Sequence, residues 1–127
     1  MRNNLGLYQE ILMDHYNNPR GSDSIDNPTF TSKEYNPACG DSVQVQAIIM
    51  DDQISDIAFQ GKGCIISQAV ASVVMEKSLN APLTTILVWD KTTILDWINQ
   101  ELGPNRLKCA LMALEALQHG IRQNAEG

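Results

Sequence analysis

Three cysteines and one aspartate are the side chains of this chain most suited to metal chemistry. Cys39 and Asp41 stand two positions apart around Gly40, and residues so spaced in extended backbone point to the same side. Cys64 follows a short glycine-containing turn, and Cys109 lies near the start of the last helical pattern. Three thiolates and one carboxylate would make a four-ligand set for zinc or for an iron–sulfur cluster.

The surroundings of each residue leave a plainer interpretation open. Cys64 opens a helical run whose dipole favours thiolate, but a free cysteine is often only a small buried hydrophobe. Lys108 would favour ionisation of Cys109, yet Lys108 also fits a solvated surface lysine. Cys39 and Asp41 lie in good turn sequence. The residue types alone therefore predict a candidate metal site and leave ordinary structural roles for these residues open.

Other site chemistries find little support in the sequence. The cysteine spacings match neither C-x-x-C zinc modules nor thioredoxin-like redox motifs, and His15 and His119 are distant from the cysteines along the chain. There is no metalloprotease motif, no glycine-rich phosphate loop and no support for a Ser-His-Asp triad.

Composition narrows the class of partner and the compartment. The 127 residues carry a formal net charge of −6 without a Lys/Arg cluster, which argues against nucleic acid and against anionic membrane surfaces. No apolar run approaches membrane-spanning length, and residues 1–5 lack a secretory signal. An odd number of cysteines favours a reducing compartment, so we expect a cytoplasmic protein.

The middle of the chain has the period of two that is typical of strands with one buried face. Alternation is clearest from Val43 to Ile49, and Asp51 with Asp52 offers a tight turn into a returning strand. Three strands are predicted, over residues 29–35, 43–49 and 54–59. They should form a small antiparallel meander.

Helical spacing of apolar residues dominates the rest of the chain. Five helices are predicted, over residues 5–16, 65–79, 83–87, 90–101 and 107–121. The second should be buried because its middle is apolar on nearly all sides, and Cys109 should lie at a rim because it is off the last helix's apolar stripe. The fold class expected is α+β, with a small three-stranded antiparallel sheet packed against helices in one domain over residues 1–127.

Several runs of residues, spread over nearly the whole chain, are similar to the motifs of one known family. They are Leu7-Tyr8, Asp14-His15-Tyr16, Asn18-Pro19-Arg20, Pro37-Ala38-Cys39-Gly40-Asp41, Gly61-Lys62-Gly63-Cys64-Ile65-Ile66-Ser67-Gln68-Ala69 and Lys108-Cys109-Ala110. The chain thereby resembles the IscU/SufU/NifU N-terminal family of iron–sulfur cluster assembly scaffolds, with its IscU/SufE-like fold.

The resemblance implies a ligand set and a function. It carries ligand roles onto Cys39, Asp41, Cys64 and Cys109, with Cys109 as the first sulfur acceptor and Lys108 as an auxiliary charge beside it. A cysteine desulfurase would deliver persulfide sulfur, and a transient [2Fe–2S] cluster would be built and passed to apo acceptor or carrier proteins. Asp41, as a hard oxygen ligand, would leave one corner of the site exchangeable. A scaffold of this kind is not an enzyme.

Departures from the family's branches keep other functions open. Lys108 stands where the IscU branch has histidine, as in the SufU branch, yet the interval from Cys64 to Cys109 lacks the usual SufU insertion. Leu102-Gly103-Pro104-Asn105-Arg106 replaces the IscU segment bound by an Hsp70 chaperone, so that partner is not carried over to this chain. One alternative is a zinc-dependent sulfurtransferase that accepts persulfide, with the same four residues holding Zn²⁺. Another is a protein-interaction module without metal, containing three buried cysteines.

Overall fold

A computed structural model describes residues 12–18, 24–37, 40–99 and 101–126. Three antiparallel strands form one sheet in the order β1, β2, β3; they are β1 (Phe30–Asn36), β2 (Asp41–Met50) and β3 (Gln53–Lys62). The helices are α1 (helical over residues 12–17), α2 (Ile65–Ser78), α3 (Leu83–Leu87), α4 (Lys91–Ile98) and α5 (Pro104–Glu126). The predicted α+β class, with a three-stranded antiparallel sheet packed against helices, is confirmed.

The sheet is a meander whose turns are short. Asp51 and Asp52 join β2 to β3 with φ of 55° and 59°, the left-handed backbone that two-residue hairpin turns favour. Val43, Val45 and Ala47 of β2 are buried, as the alternation predicts, whereas Ile49 is only half-buried because the pairing register with β3 shifts between Ile48 and Ile49. β2 extends past its predicted bounds because pairing with β1 continues to Asn36 opposite Asp41, and β3 extends because its pairing with β2 continues to Lys62 opposite Ser42. The strand ends thus reach the candidate site residues.

The helices cover the apolar face of the sheet. α2 is buried without interruption from Ala69 to Met75, as predicted, and packs against β3 and α5. α5 also packs against β1 and β2. Apolar side chains from all these elements form one core. No helix within the described ranges is long and apolar enough to cross a membrane.

Several helix ends differ from prediction: α5 continues past the predicted residue 121 to Glu126, and two other ends differ for local reasons. α4 stops at Ile98 because Asn99 adopts left-handed backbone with φ 52°, which ends the helical hydrogen bonding. α5 begins three residues earlier than predicted, at Pro104, since proline is well suited to the first helical position. Of the predicted first helix, residues 5–11 lie outside the described residues.

Candidate metal centre

Three of the four predicted ligands converge. A carboxylate oxygen of Asp41 and the Sγ atoms of Cys64 and Cys109 all lie within 4.8 Å of one another. They come from the start of β2, the residue before α2 and the second turn of α5. Cys39, the fourth predicted ligand, lies outside the described residues. Neither described histidine belongs to the cluster, so its donors are sulfur and oxygen.

The turn between β1 and β2 brings Asp41 to this point. Asn36 and Asp41 are paired in the strand register, and the Gly40 N–H donates to the Asn36 carbonyl at 2.8 Å. Gly40 has φ of 76°, a left-handed conformation that glycine adopts without a steric penalty. The side chain of Asp41 is 5% exposed. A carboxyl group so deeply buried fits a ligand position better than a solvated loop.

The corner between β3 and α2 closes over the Asp41 carboxyl group. A Cβ placed on Gly63 would lie 2.5 Å from Asp41 Cγ and 2.6 Å from Ser67 Oγ, so only glycine fits this corner without displacement. The backbone that leads into Cys64 therefore lies directly against the carboxyl group. This contact determines how close the start of β2, with Asp41, comes to the backbone before Cys64.

Cys64 is exposed and precedes the first residue of α2. Cys64 occupies the N-cap position of α2, but in the described structure its side chain accepts no capping hydrogen bond. The Ser67 hydroxyl instead donates to the Cys64 carbonyl at 3.0 Å, and the Cys64 thiol lies 3.9 Å from Ser67 Oγ as a donor. The sulfur is directed to the cluster, at a solvent-accessible edge.

Cys109 is buried, with 6% of its surface exposed, so the predicted rim position is wrong. α5 starts earlier than its apolar stripe suggests, which places Cys109 in the second turn, where the end of β1 covers it. Asn36 Nδ2 donates to Cys109 Sγ at 3.7 Å. The two described cysteines thus differ: one thiol is accessible and the other is enclosed.

A shallow pocket of about 300 Å³ lies beside Cys109. Its lining comprises Glu34, Tyr35, Asn36, Pro37, Lys108, Met112 and Glu115. Lys108 is exposed, in keeping with a solvated lysine near the cluster. Burial, and secondarily the neighbouring Glu34 carboxylate, raise the pKa of Glu115 above its ordinary value of 4.5. The pocket is therefore lined by charges of both signs.

Asn36 and Ser67 are site residues to which the sequence assigned no role. Ser67 had a detectable signal, since serine three residues after a helix-capping position commonly bonds the local backbone. Asn36 had none, because its contact with Cys109 spans 73 residues of sequence. Only the fold brings that pair together.

The sequence profile of the NifU-like N terminal domain matches residues 7–126, almost the whole chain. The chain belongs to this family. The predicted resemblance is thereby confirmed.

Members of both branches named above are similar to this chain. It is 30% identical to the zinc-dependent sulfurtransferase SufU of Bacillus subtilis strain 168, over 95% of this chain and 93% of that protein. It is 25% identical to the iron–sulfur cluster assembly scaffold protein IscU of Thermotoga maritima, over 92% and 94% respectively.

Solved structures share the fold at lower identity. A protein described as an iron–sulfur cluster assembly scaffold for the SUF system of Fervidobacterium islandicum AW-1 superposes with a TM-score of 0.74 at 24% identity, covering 88% of this chain and 94% of its own. The N-terminal part of a NifU-like protein of Brucella abortus gives 0.74 at 18% identity, covering 94% of both chains. At such identities the likeness establishes the architecture alone.

Proposed function

We propose that this protein is an iron–sulfur cluster assembly scaffold. It accepts persulfide sulfur from a cysteine desulfurase, and an external electron donor, such as a thiol or a reduced electron-transfer protein, reduces that sulfur to sulfide. The sulfide combines with iron as a labile [2Fe–2S] cluster, which passes to apo acceptor proteins. The observation that carries the proposal is the convergence of Asp41, Cys64 and Cys109 within 4.8 Å in a chain of the NifU-like N-terminal family. As a scaffold the protein is not an enzyme.

The donor set suits this cargo. Thiolates are the usual ligands of iron–sulfur clusters, and Cys64 and Cys109 supply two of them. We assign Cys39 as the third thiolate, on the strength of its position two residues before Asp41. Four ligand residues then surround one small inorganic core.

The mixed donors suit a protein that must release its product. A carboxylate oxygen is a harder ligand than thiolate and binds soft iron–sulfur iron less firmly. Asp41 therefore supplies the exchangeable corner, while its burial keeps water from competing before an acceptor docks. Retention and release are both served by one buried carboxylate.

Sulfur arrives by thiol–persulfide exchange in this scheme. The Cys109 thiolate attacks the outer sulfur of the desulfurase persulfide, the S–S bond breaks, and the desulfurase cysteine leaves as a thiolate. Lys108, exposed beside Cys109, offsets the negative charge that accumulates. Because such thiol chemistry needs a reducing compartment, the proposal places the protein in the cytoplasm.

A second candidate is a zinc-dependent sulfurtransferase. The 30% identity to a protein of that name favours it, as does the SufU-like lysine before Cys109. Cys39, Asp41, Cys64 and Cys109 would then hold Zn²⁺, which accepts sulfur and oxygen donors in a tetrahedral site. The protein would be an enzyme under this alternative. The third reading, an interaction module with three buried cysteines, is disfavoured because Cys64 is exposed.

Anaerobic reconstitution distinguishes the candidates. The purified protein is analysed for metal, then incubated with ferrous iron, a thiol reductant and a desulfurase with cysteine, and its visible spectrum is followed. A [2Fe–2S] spectrum, and loss of that spectrum to an added apo acceptor, is the expected result. A colourless protein whose tightly held zinc iron does not displace would favour the sulfurtransferase, and a protein that binds neither metal would overturn both. Asp41→Ala should accumulate less of the cluster spectrum than the parent, whereas Asp96→Ala, at an exposed carboxylate on α4, should match the parent.

A further inference from the structure

The side chain of Asn36 links two ligand segments that are distant in sequence. Asn36 is the last residue of β1, and its amide Nδ2 donates to Cys109 Sγ at 3.7 Å. Hydrogen bonds to sulfur are longer than those to oxygen because the sulfur atom is larger. The contact is partly buried, where a hydrogen bond is less weakened by competing water.

The backbone of the same residue shapes the turn that carries the first ligand segment. The carbonyl of Asn36 accepts the Gly40 N–H at 2.8 Å, and Asn36 is the strand partner of Asp41. Main chain and side chain therefore do separate work. The main-chain carbonyl of Asn36 accepts from the Gly40 N–H, and the side chain of Asn36 reaches across to α5. A substitution of the side chain leaves the turn's own hydrogen bond in place.

The two described thiols have hydrogen-bonding partners of opposite kind: an acceptor lies beside Cys64, and a donor lies beside Cys109. The Ser67 hydroxyl proton is directed to the Cys64 carbonyl, so Ser67 presents an oxygen lone pair to the Cys64 sulfur. Asn36 presents an N–H to the Cys109 sulfur. An N–H donor stabilises negative charge on sulfur, whereas an oxygen lone pair does not. The sequence around the two cysteines gives no hint of this difference.

We propose that Asn36 is a positioning residue for Cys109. Its amide holds the Cys109 sulfur toward Asp41 and Cys64, and withdraws electron density from that sulfur when the site is loaded. Partners of this kind commonly orient ligands and tune metal sites, and hydrogen bonds to sulfur alter the potentials of iron–sulfur clusters. The inference rests on the proposed function for the identity of the bound iron–sulfur cluster. The hydrogen bond between Asn36 and Cys109 does not depend on that function.

The first experiment uses Co²⁺ as a probe of the thiolate ligands in the full chain. Asn36→Ala removes the donor, and Asn36→Asp keeps the shape but replaces the donor with an anion. Without the N–H, sulfur electrons are held less tightly, so the sulfur-to-cobalt charge-transfer band should move to lower energy. The shift should be larger for Asn36→Asp, and Co²⁺ affinity should fall about 10–100-fold. Asn124→Ala, at an exposed position near the far end of α5, should change neither.

A second readout needs no metal. In the metal-free protein, Cys109→Ala should shift the side-chain amide proton resonances of Asn36, because their acceptor is removed, while those of Asn124 stay unchanged. Unshifted Asn36 resonances would overturn the inference. So would an Asn36→Ala protein that melts earlier but binds Co²⁺ with an unaltered band, since that result describes a purely structural residue.

The two readouts separate the inference from the function on which it builds. Failure of the unaltered protein to bind Co²⁺, iron or zinc would refute the proposed scaffold and sulfurtransferase functions. The amide resonances would still decide the Asn36 hydrogen bond. Normal cluster assembly with identical Co²⁺ spectra in all Asn36 variants would refute the inference and leave the scaffold function standing.

Discussion

The carboxyl group of Asp41 lies directly against the α-carbon of Gly63, where a Cβ would come within 2.5 Å of Asp41 Cγ. The start of β2 and the corner before α2 are thus in contact through one glycine and one carboxylate. Cys64 follows immediately, so the position of its thiol depends on how closely these two backbones approach. Gly63 is not a ligand, but it helps to set the distances among the Asp41, Cys64 and Cys109 side chains.

Gly63→Ala should therefore weaken metal binding without changing any ligand. The added methyl group must displace the Asp41 carboxyl group or the Ser67 hydroxyl, and overpacking of this kind costs about 1–3 kcal/mol of stability. We expect faster loss of metal to a competing chelator and a lower melting temperature. Gly103→Ala is the matched control, because nothing lies within 4 Å of a Cβ there. Equal metal retention in both variants would contradict the proposed role of this corner.

The elements of this fold were predictable because each leaves a local signal. Alternating apolar residues from Val43 to Ala47 indicate a half-buried strand, and the run from Ala69 to Met75, apolar except for Ser72, indicates a buried helix. Both signals depend only on neighbours a few residues away. Both signals can therefore be recognised in the sequence without the tertiary structure.

The geometry of the site was less accessible. Residue types and motif resemblance singled out Asp41, Cys64 and Cys109, but nothing local states that Cys109 is enclosed and Cys64 exposed. That difference arises because the end of β1 lies over α5, a contact across 73 residues between Asn36 and Cys109. The residue type of a metal ligand can be recognised in the sequence. The side chains that surround that ligand are determined by the tertiary structure.

Asp41→Cys should slow release of the assembled cluster. A thiolate holds iron more firmly than a carboxylate does, so the exchangeable corner would be lost and transfer should slow by about tenfold or more. The decay of the bound cluster's absorbance after addition of an apo acceptor measures the rate. Transfer at the original rate, from a variant that loads normally, would remove Asp41 from the proposed role.

Cys109→Ser should abolish sulfur acceptance, and Cys64→Ser should leave it measurable. The hydroxyl of serine is not ionised near neutral pH and cannot displace the desulfurase thiolate. Intact mass of the protein after incubation with desulfurase and cysteine reports the added sulfur, and peptide mapping locates it. Cys64 is the more exposed thiol, so accessibility alone would favour sulfur on Cys64 rather than on Cys109. Sulfur found on Cys64 in the unaltered protein would transfer the acceptor role there.

Lys108→Ala should slow sulfur uptake modestly. The ammonium group is exposed, so its attraction for a thiolate at Cys109 is screened and should change the rate by less than about fivefold. The difference from the parent should shrink as salt is added, because screening already removes the attraction. Lys91→Ala, at an exposed position at the start of α4, is the control. Uptake and cluster formation equal to the parent at low salt would refute an electrostatic role.

Glu115→Gln should stabilise the protein above mildly acidic pH. Burial and the Glu34 carboxylate raise the pKa of Glu115 above 4.5, so the folded state holds that proton more tightly than the unfolded chain. As pH rises through this interval the unfolded state loses its proton first, and folding stability falls. Glutamine has no proton to lose and escapes this cost. The gain at neutral pH should be less than about 1 kcal/mol, since the carboxyl group is partly exposed and screened.

The pH dependence separates this effect from a change in packing. Chemical denaturation of the parent and of Glu115→Gln should give equal stabilities below the ordinary carboxyl pKa, where both side chains are neutral, and diverge as pH increases. Glu34→Gln should produce part of the same gain, because it removes the second cause of the raised pKa. Glu101→Gln, at an exposed carboxylate outside this pocket, serves as control. A Glu115→Gln protein that is less stable than the parent at every pH would show that the carboxyl group makes a favourable contact that outweighs its burial.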